Sequence, residues 1–128
     1  MEHSYSQIGQ DKKVYNFYNG KKDGYYVEIG AYDGIALSNT YAFEKLGWKG
    51  ICAEPLQSRF QQLILNRKAH CCDLAVYHTT GLQVSFDIEG DAGMLSGINT
   101  HIDAHKATVD KNKKTVTVNT ISLNDLLE

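Results

Sequence analysis

The sequence predicts an α/β fold with a mostly parallel sheet between layers of helices, a three-layer arrangement. Two observations predict it. Strand-like and helix-like segments alternate over residues 25–73, and the strand-like segments are short and apolar. Strands that alternate with helices pair in parallel through right-handed crossovers. A length of 128 residues fits one domain.

The predicted elements follow from local patterns. We expect a helical lead-in at residues 1–24 and an α/β core at residues 25–128. Apolar and alternating runs predict strands at residues 25–29, 51–53, 69–73 (with an extension to 76 also allowed), 82–88 and 115–120. Capping residues and helical spacing predict a helix that is capped by Ser38 or Asn39 and runs to about Leu46. They also predict helices at residues 56–67 and, after a cap at Ser122, at residues 123–127.

Composition and charge exclude several classes of protein. The net charge is −2, so no cationic surplus draws the chain to nucleic acid or anionic lipid. No apolar run approaches the ~20 residues that cross a membrane, and residues 1–10 are too polar for a secretory signal. We expect a cytoplasmic protein without nucleic-acid or membrane partners. The three cysteines, two of them adjacent, fit small core residues better than a disulfide or metal site.

The ends of the first two strands carry the residue types of a ligand site. In open α/β sheets, ligands bind beyond the carboxyl ends of the strands. Gly30 and Gly34 follow the first strand and let the backbone turn sharply and approach a ligand. The next helix offers N–H groups at its start, which favour an anion such as an amino-acid carboxylate. Glu54 ends the second strand, where a carboxylate can accept hydrogen bonds from both hydroxyls of a ribose.

The spacing of these residues indicates which nucleotide-like ligand fits. The dinucleotide fingerprint G-x-G-x-x-G packs glycines against a pyrophosphate. This chain instead has E-x-G-x-x-x-G from Glu28 to Gly34, which gives no dense glycine cradle but leaves Glu28 able to face a cationic group. S-adenosylmethionine combines a ribose, an ammonium and a carboxylate without a phosphate, and it is the predicted cofactor. An NAD-dependent dehydrogenase is the weaker alternative.

The chain resembles the FkbM family of methyltransferases over about residues 6–127. The central match is Glu28-Ile29-Gly30-Ala31-Tyr32-Asp33-Gly34, with Ala53-Glu54-Pro55 downstream. Further matching stretches are residues 6–11, 26–27, 38–40, 47–50, 74–76 and 94–98, together with Glu44. The resemblance implies a Rossmann-like class I methyltransferase fold. It also implies methyl transfer, usually to a hydroxyl oxygen of a small molecule or sugar.

The resemblance implies roles for individual residues as well. The residues it places around the methionine part of the cofactor are Glu28, Gly30, Ala31, Asp33 and Gly34, with Ser38 and Asn39 near the carboxylate. Glu54 would hold the ribose, and Asp73, Leu74 and Ala75 would border the adenine. Tyr32 and Pro55 complete the predicted cofactor-binding set. The segment 7–11 would close over the site.

The chain departs from the family in one respect. Family members continue with a strand that ends in an acidic I-D-x-E-G motif, whereas this chain stops at Glu128. We therefore expect a domain truncated before the fourth core strand. Residues 27–29 would then form an exposed apolar edge, which favours self-association.

Two classes of function stay open on the sequence. One is an O-methyltransferase that uses S-adenosylmethionine, and the other is a non-catalytic, degenerate or split module that keeps the fold. No residue stands out as the catalytic base. We interpret five further polar residues as surface rather than metal ligands: Asp87, Glu89, Asp91, His101 and His105.

Overall fold

The computed structural model of the chain describes residues 3–88, 97–98 and 114–128. The chain forms two compact units, Met1–Asp73 and Leu74–Glu128. Among the described helices, none has both the length and the apolar character needed to cross a bilayer.

The first unit is a parallel sheet with helices in its connections. Its elements in chain order are α1 (Gln10–Phe17), β1 (Tyr25–Ile29), α2 (Tyr41–Leu46), β2 (Lys49–Ala53), α3 (Gln57–Asn66) and β3 (His70–Cys72). The strands pair in the order β1-β2-β3, and both pairs are parallel. Parallel neighbours need a crossover, which α2 and α3 supply. The predicted α/β class is confirmed, with a parallel sheet in this unit.

The core of the first unit lies between the sheet and the two crossover helices. Tyr26 of β1 and Cys52 of β2 pack in one buried cluster with Phe43 of α2 and Leu63 of α3. Burial raises the pKa of the Cys52 thiol to about 12, so this cysteine behaves as a small apolar residue. The middle strand β2 is buried over its last four residues, as its continuous apolar run requires.

The strand β1 lies at the edge of this sheet. It pairs with β2 on one side, and no other described strand pairs with it. Side chains alternate along it, so Tyr26 is buried whereas Tyr25, Val27 and Ile29 are exposed. The strand predicted at residues 25–29 is therefore observed, and the expected exposure of its apolar edge agrees with the exposed Val27 and Ile29.

The second unit is built around a long strand. Its elements are β4 (Ala75–Val76), β5 (Gln83–Ile88), β6 (Gly97–Ile98), β7 (Lys114–Ile121) and α4 (Leu123–Leu126). The strands pair in the order β4-β7-β5-β6, with β4 parallel to β7 and β5 antiparallel to both β7 and β6. The mostly parallel arrangement predicted from the sequence thus holds for the first sheet, while the second is mixed.

Two predicted boundaries need correction. The strand allowed to run from residue 69 to 76 is in fact two strands, because β3 ends at Cys72 and Ala75–Val76 pairs with β7 in the other sheet. The helix expected to follow a cap at Ser38 or Asn39 begins at Tyr41, after the N-cap residue Thr40. Local apolar patterns mark where a strand can form, but they do not show which strand it pairs with.

The helix α1 lies within residues 1–24, and that these residues form a lead-in to the core stays a prediction. Two other predictions are confirmed. The amphipathic helix predicted at residues 56–67 is observed as Gln57–Asn66. Ser122 caps the last helix, since its hydroxyl accepts a hydrogen bond from the Asp125 N–H at 3.2 Å.

Candidate functional site

The glycine loop after β1 is fixed to the end of β2. The N–H groups of Gly30 and Ala31 both donate to the Ala53 carbonyl, at 2.9 and 3.0 Å. Gly30 and Gly34 have φ angles of 75° and 92°, a left-handed conformation that glycine adopts without steric cost. The sharp turn predicted from these two residues is therefore confirmed.

The two glycines are required for different reasons. Apart from its two chain neighbours, no described residue comes within 4 Å of a Cβ built at Gly30, so this part of the structure leaves space beyond the strand end. A Cβ at Gly34 would lie 2.7 Å from Arg67 Cγ and 2.9 Å from Leu63 Cδ1. Gly34 therefore lets α3 pack against the loop, whereas Gly30 leaves room for a ligand beside the backbone.

Tyr32 is held in an unfavourable backbone conformation between the glycines. Its φ is 57°, which costs a side-chain-bearing residue about 1–2 kcal/mol. Two contacts offset this cost. Its N–H donates to Glu54 Oε1 at 2.8 Å, and the Arg59 guanidinium lies over its ring at 4.5 Å. Next to it, Asp33 Oδ1 accepts from the following N–H groups of Ile35 and Ala36, both at 2.9 Å.

Glu54 is buried at the end of β2 and retains capacity for further hydrogen bonds. One carboxylate oxygen accepts from the Tyr32 N–H at 2.8 Å and the other from the Leu56 N–H at 3.1 Å. Burial raises the pKa of this carboxyl, and those two N–H groups together with the charge of Arg59 offset the effect only in part. A carboxylate has about four acceptor positions. With two of them occupied by these N–H groups, two positions have no donor among the described residues and suit the hydroxyls of a diol.

The sequence indicated that Glu28 could face a cationic group of a ligand. In the structure its cationic partner is Arg67 of the same chain. Its Oε1 accepts from the Ser38 hydroxyl at 3.1 Å and from the Asn39 N–H at 2.9 Å. Its Oε2 lies 3.6 Å from Arg67 Nη1. The carboxylate therefore organises the turn that leads into α2, and direct contact with a ligand ammonium is not what this geometry favours.

The N–H groups at the start of α2 are also engaged, which corrects the expectation of a free anion site there. The Ser38 hydroxyl oxygen accepts from the Thr40 N–H at 3.1 Å and from the Tyr41 N–H at 3.0 Å. With the Asn39 N–H bound to Glu28, three successive N–H groups from Asn39 to Tyr41 are therefore engaged by side chains. Ser38 is buried and acts as a structural cap.

Arg67 is the residue of this region that the sequence reasoning missed. Its side chain is 0% exposed, and it follows α3 directly. It donates from Nη1 to the Gly34 carbonyl at 3.0 Å and from Nη2 to Thr40 Oγ1 at 3.0 Å. The available signal was its position four residues after the buried Leu63, since residues at that spacing share a helix face.

Glu44 is the second acidic partner of Arg67. Arg67 Nε lies 3.2 Å from Glu44 Oε1, which also accepts from Tyr26 Oη and from the N–H groups of Lys68 and Ala69. Burial raises the pKa of the Glu44 carboxyl, but the Lys68 N–H and Arg67 outweigh this, so the pKa is lowered overall. Arg67 is thus a buried cation between two carboxylates.

The N-terminal segment lies next to the glycine loop. Asp11 is buried and accepts from the N–H of Tyr5 and the hydroxyl of Ser6, both at 2.8 Å. Burial raises the pKa of Asp11, but its hydrogen bonds outweigh burial, and the pKa is lowered overall. Ser6 in turn forms a parallel bridge with Leu37, just past the loop. That the segment 7–11 closes over a ligand stays a prediction.

The remaining predicted residues lie in different places. Pro55 is half-buried between Glu54 and Leu56. Asp73 is exposed after β3, where its Oδ2 accepts from Gln57 Nε2 at 3.4 Å. Leu74 and Ala75 belong to the second unit, where Ala75 is buried in β4. That these last three border an adenine stays a prediction.

Other candidate chemistry falls outside this site. Within the ranges that the structure describes, no group of three or more His, Cys, Asp or Glu side chains could hold a metal ion. The expectation that Asp87 lies at the surface is wrong, because it is buried in β5, where it accepts from the Thr115 hydroxyl at 2.9 Å. The other acidic and histidine candidates are outside the described residues: Glu89, Asp91, His101 and His105.

A cavity of about 510 Å³ opens in the first unit, at the ends of the strands opposite to the glycine loop. It lies at the amino ends of the strands and is lined by their first residues, Tyr25, Lys49 and His70, and by Trp48 and Lys68. It is therefore separate from the glycine loop and Glu54, which lie at the carboxyl ends.

Comparison with known proteins identifies the family. A family model described as the methyltransferase FkbM domain matches residues 28–128. The matched region begins at Glu28 and includes the glycine loop, Glu54 and Arg67. No curated protein and no solved structure matches the chain.

Proposed function

The chain belongs to the FkbM methyltransferase domain family, and from this premise we propose that it binds S-adenosylmethionine at the carboxyl ends of β1 and β2. The proposed reaction is transfer of the methyl group to a hydroxyl oxygen of a small molecule or sugar. The proposed fold is the Rossmann-like class I methyltransferase fold in a single domain. The parallel order β1-β2-β3 with helical crossovers supports it.

The observation that carries the proposal is the state of Glu54. Glu54 as a whole is 6% exposed, yet among the described residues each carboxylate oxygen has one backbone donor. A buried carboxylate is costly unless further donors reach it. The 2′- and 3′-hydroxyls of a ribose supply two donors at a spacing that suits one carboxylate. A 2′-phosphate would be repelled by the same charge.

The glycine loop supports the remaining part of the ligand. The open space beside Gly30 lets an adenosyl chain run close to the backbone between β1 and β2. Glu28 contributes through the turn that it holds at Ser38 and Asn39, rather than by forming an ion pair with the ligand. Asp33 stabilises the loop by accepting hydrogen bonds from its own backbone.

The residues of this chain serve to bind and orient. The bound cofactor supplies an electrophilic methyl group on a sulfonium, which is a good leaving group, so alignment of the acceptor hydroxyl contributes most to the rate. Glu54 would fix the nucleoside end, and the loop would fix the direction in which the methyl group points. The proposed partners are a small-molecule or glycan hydroxyl, without nucleic acid or membrane, in the cytoplasm.

Calorimetry with S-adenosylhomocysteine tests the proposal. We expect the wild-type chain to bind and Glu54→Ala to bind about 10- to 100-fold more weakly, because two hydrogen bonds to a charged acceptor are lost. Asp23→Asn is the matched control, since it removes an exposed carboxylate in the turn before β1. Equal binding by wild type and Glu54→Ala would refute the ribose assignment.

NAD is the discriminating ligand for the dehydrogenase alternative. The E-x-G-x-x-x-G loop has no glycine cradle for a pyrophosphate, so we expect no heat of binding with NAD under the same conditions. Binding of NAD without binding of S-adenosylhomocysteine would reverse the choice of cofactor.

A further inference from the structure

We propose that Arg67 is a positioning residue for the amino-acid end of the ligand, acting through Gly34, Ser38 and Glu28. This inference rests on the proposed function, because it concerns the same site. Arg67 is set back from the loop surface, with a side chain that is 0% exposed. It therefore acts on a ligand only through the groups that it holds.

The guanidinium connects three successive parts of the loop. Nη1 donates to the Gly34 carbonyl at 3.0 Å and lies 3.4 Å from the Ser38 hydroxyl oxygen, and Nη2 donates to Thr40 Oγ1 at 3.0 Å. These groups mark the end of the glycine loop, the turn and the entry to α2. The planar fork of arginine fits several acceptors in fixed directions, which the ammonium of lysine does not.

The positive charge of Arg67 also compensates two carboxylates near the turn into α2. It lies 3.6 Å from Glu28 Oε2 and 3.2 Å from Glu44 Oε1. Burial lowers the pKa of Arg67, but the surrounding Cys52, Tyr26 and Glu44 raise it, so the side chain stays a cation. With its charge compensated in this way, Glu28 repels an incoming ligand carboxylate less.

Within the described part of the chain, the polar contacts of Arg67 do not extend to the nucleoside end. Glu54 is held by Tyr32 and Leu56, neither of which is bonded to Arg67. The two ends of the site thus depend on separate sets of hydrogen bonds. A substitution of Arg67 should therefore lower the affinity for ligands that carry the amino-acid group and leave the affinity for ligands that lack it nearly unchanged.

The test compares two ligands that differ only in that group. Affinities for S-adenosylhomocysteine and for 5′-methylthioadenosine are measured by calorimetry on the full chain and on Arg67→Lys. We expect Arg67→Lys to lose at least about tenfold for S-adenosylhomocysteine and less than about threefold for 5′-methylthioadenosine. Lys68→Gln removes the neighbouring, exposed charge and should change neither affinity. Equal losses for both ligands, or no loss for either, would overturn the proposal.

A second measurement separates this inference from the proposed function. The N–H groups of Asn39 and Tyr41 are bonded to Glu28 and Ser38, so their hydrogen exchange reports the loop without any ligand. If the wild type binds neither ligand, the proposed function fails. Arg67→Lys should nevertheless raise exchange at these two amides by about tenfold or more relative to Lys68→Gln. Unchanged exchange rates would overturn the positioning role.

A milder variant covers the case in which Arg67→Lys does not fold. Thr40→Val removes the acceptor of Nη2 and keeps the guanidinium, its charge and both carboxylates. We expect the same preferential loss of S-adenosylhomocysteine binding, smaller in size. An unchanged ratio of the two affinities in Thr40→Val would contradict the proposal.

Discussion

At the level of single residues, substitutions of the two loop glycines should change different properties. A substitution of Gly34 should lower stability, and one of Gly30 should lower ligand affinity. Gly34→Ala places a methyl group against Arg67 and Leu63 in addition to forcing a left-handed alanine. We expect a loss of about 2–4 kcal/mol of unfolding free energy. Gly30→Ala meets no described residue other than its chain neighbours, so only the cost of a left-handed alanine applies, about 1–2 kcal/mol.

Chemical denaturation measures the effect on stability, and calorimetry measures the effect on binding. Gly30→Ala should keep the fold and lose affinity for S-adenosylhomocysteine, because its methyl group occupies the open space beside the strand end. Gly34→Ala should show its loss in the denaturation midpoint. A Gly30→Ala protein that binds as tightly as wild type would place the ligand elsewhere.

The raised pKa of Glu54 predicts how affinity depends on pH. The ionised carboxylate is the form that accepts both ribose hydroxyls, and burial favours the protonated form. Affinity for S-adenosylhomocysteine should therefore fall as pH decreases through the raised pKa, at a higher pH than for an ordinary glutamate. In the free protein the sign is opposite, since stability from this group is lost as pH rises through the same range.

The control for this profile is Glu54→Gln, which has no charge to titrate. Calorimetry at several pH values between about 4.5 and 8 should give a sloping profile for the wild type. It should give a weaker, flat profile for the variant. Parallel profiles in the two proteins would assign the titration to another group.

At the level of elements, the sequence predicts what local patterns can encode. The apolar runs before Gly30 and Glu54 and the helical spacing of α3 predict strand ends and a crossover, because those features depend on neighbouring residues. The pairing of β4 with β7 was not predictable, since it joins segments that are distant in the sequence. Pairing partners depend on tertiary packing rather than on local pattern.

The same distinction between local pattern and tertiary contact explains which parts of the candidate site could be predicted. Glu54 and the glycines were recognised from their places at strand ends. The contacts of Glu28 were not, because its partner Arg67 lies just after α3, 39 residues further along the chain. Arg67 stands at a core position of a helix face, which could have marked it as a buried cation. Its acceptors could not be read from spacing alone.

At the level of the whole molecule, the edge strand β1 predicts self-association. Val27 and Ile29 are 37% and 55% exposed beside an edge that no described strand covers. An exposed apolar edge is a template for pairing with a second copy. We expect sedimentation velocity to show species larger than the monomer, increasing with protein concentration.

A charge on β1 should reduce this association. Val27→Lys places like charges next to each other when two edges pair, which disfavours pairing. Leu65→Lys is the control, because Leu65 is 85% exposed on α3 and lies away from the edge. A wild-type chain that is monomeric at all concentrations would contradict the predicted self-association. Equal reduction of association by the two variants would show that added charge acts through general solubility and not at the edge of β1.

The two backbone donors on Glu54 also have a kinetic consequence. The Tyr32 and Leu56 N–H groups immobilise the carboxylate before any ligand arrives. A receptor group that is already oriented needs no rearrangement after encounter. Stopped-flow traces should then follow a single exponential whose rate constant rises linearly with ligand concentration, without the plateau that a slow isomerisation imposes.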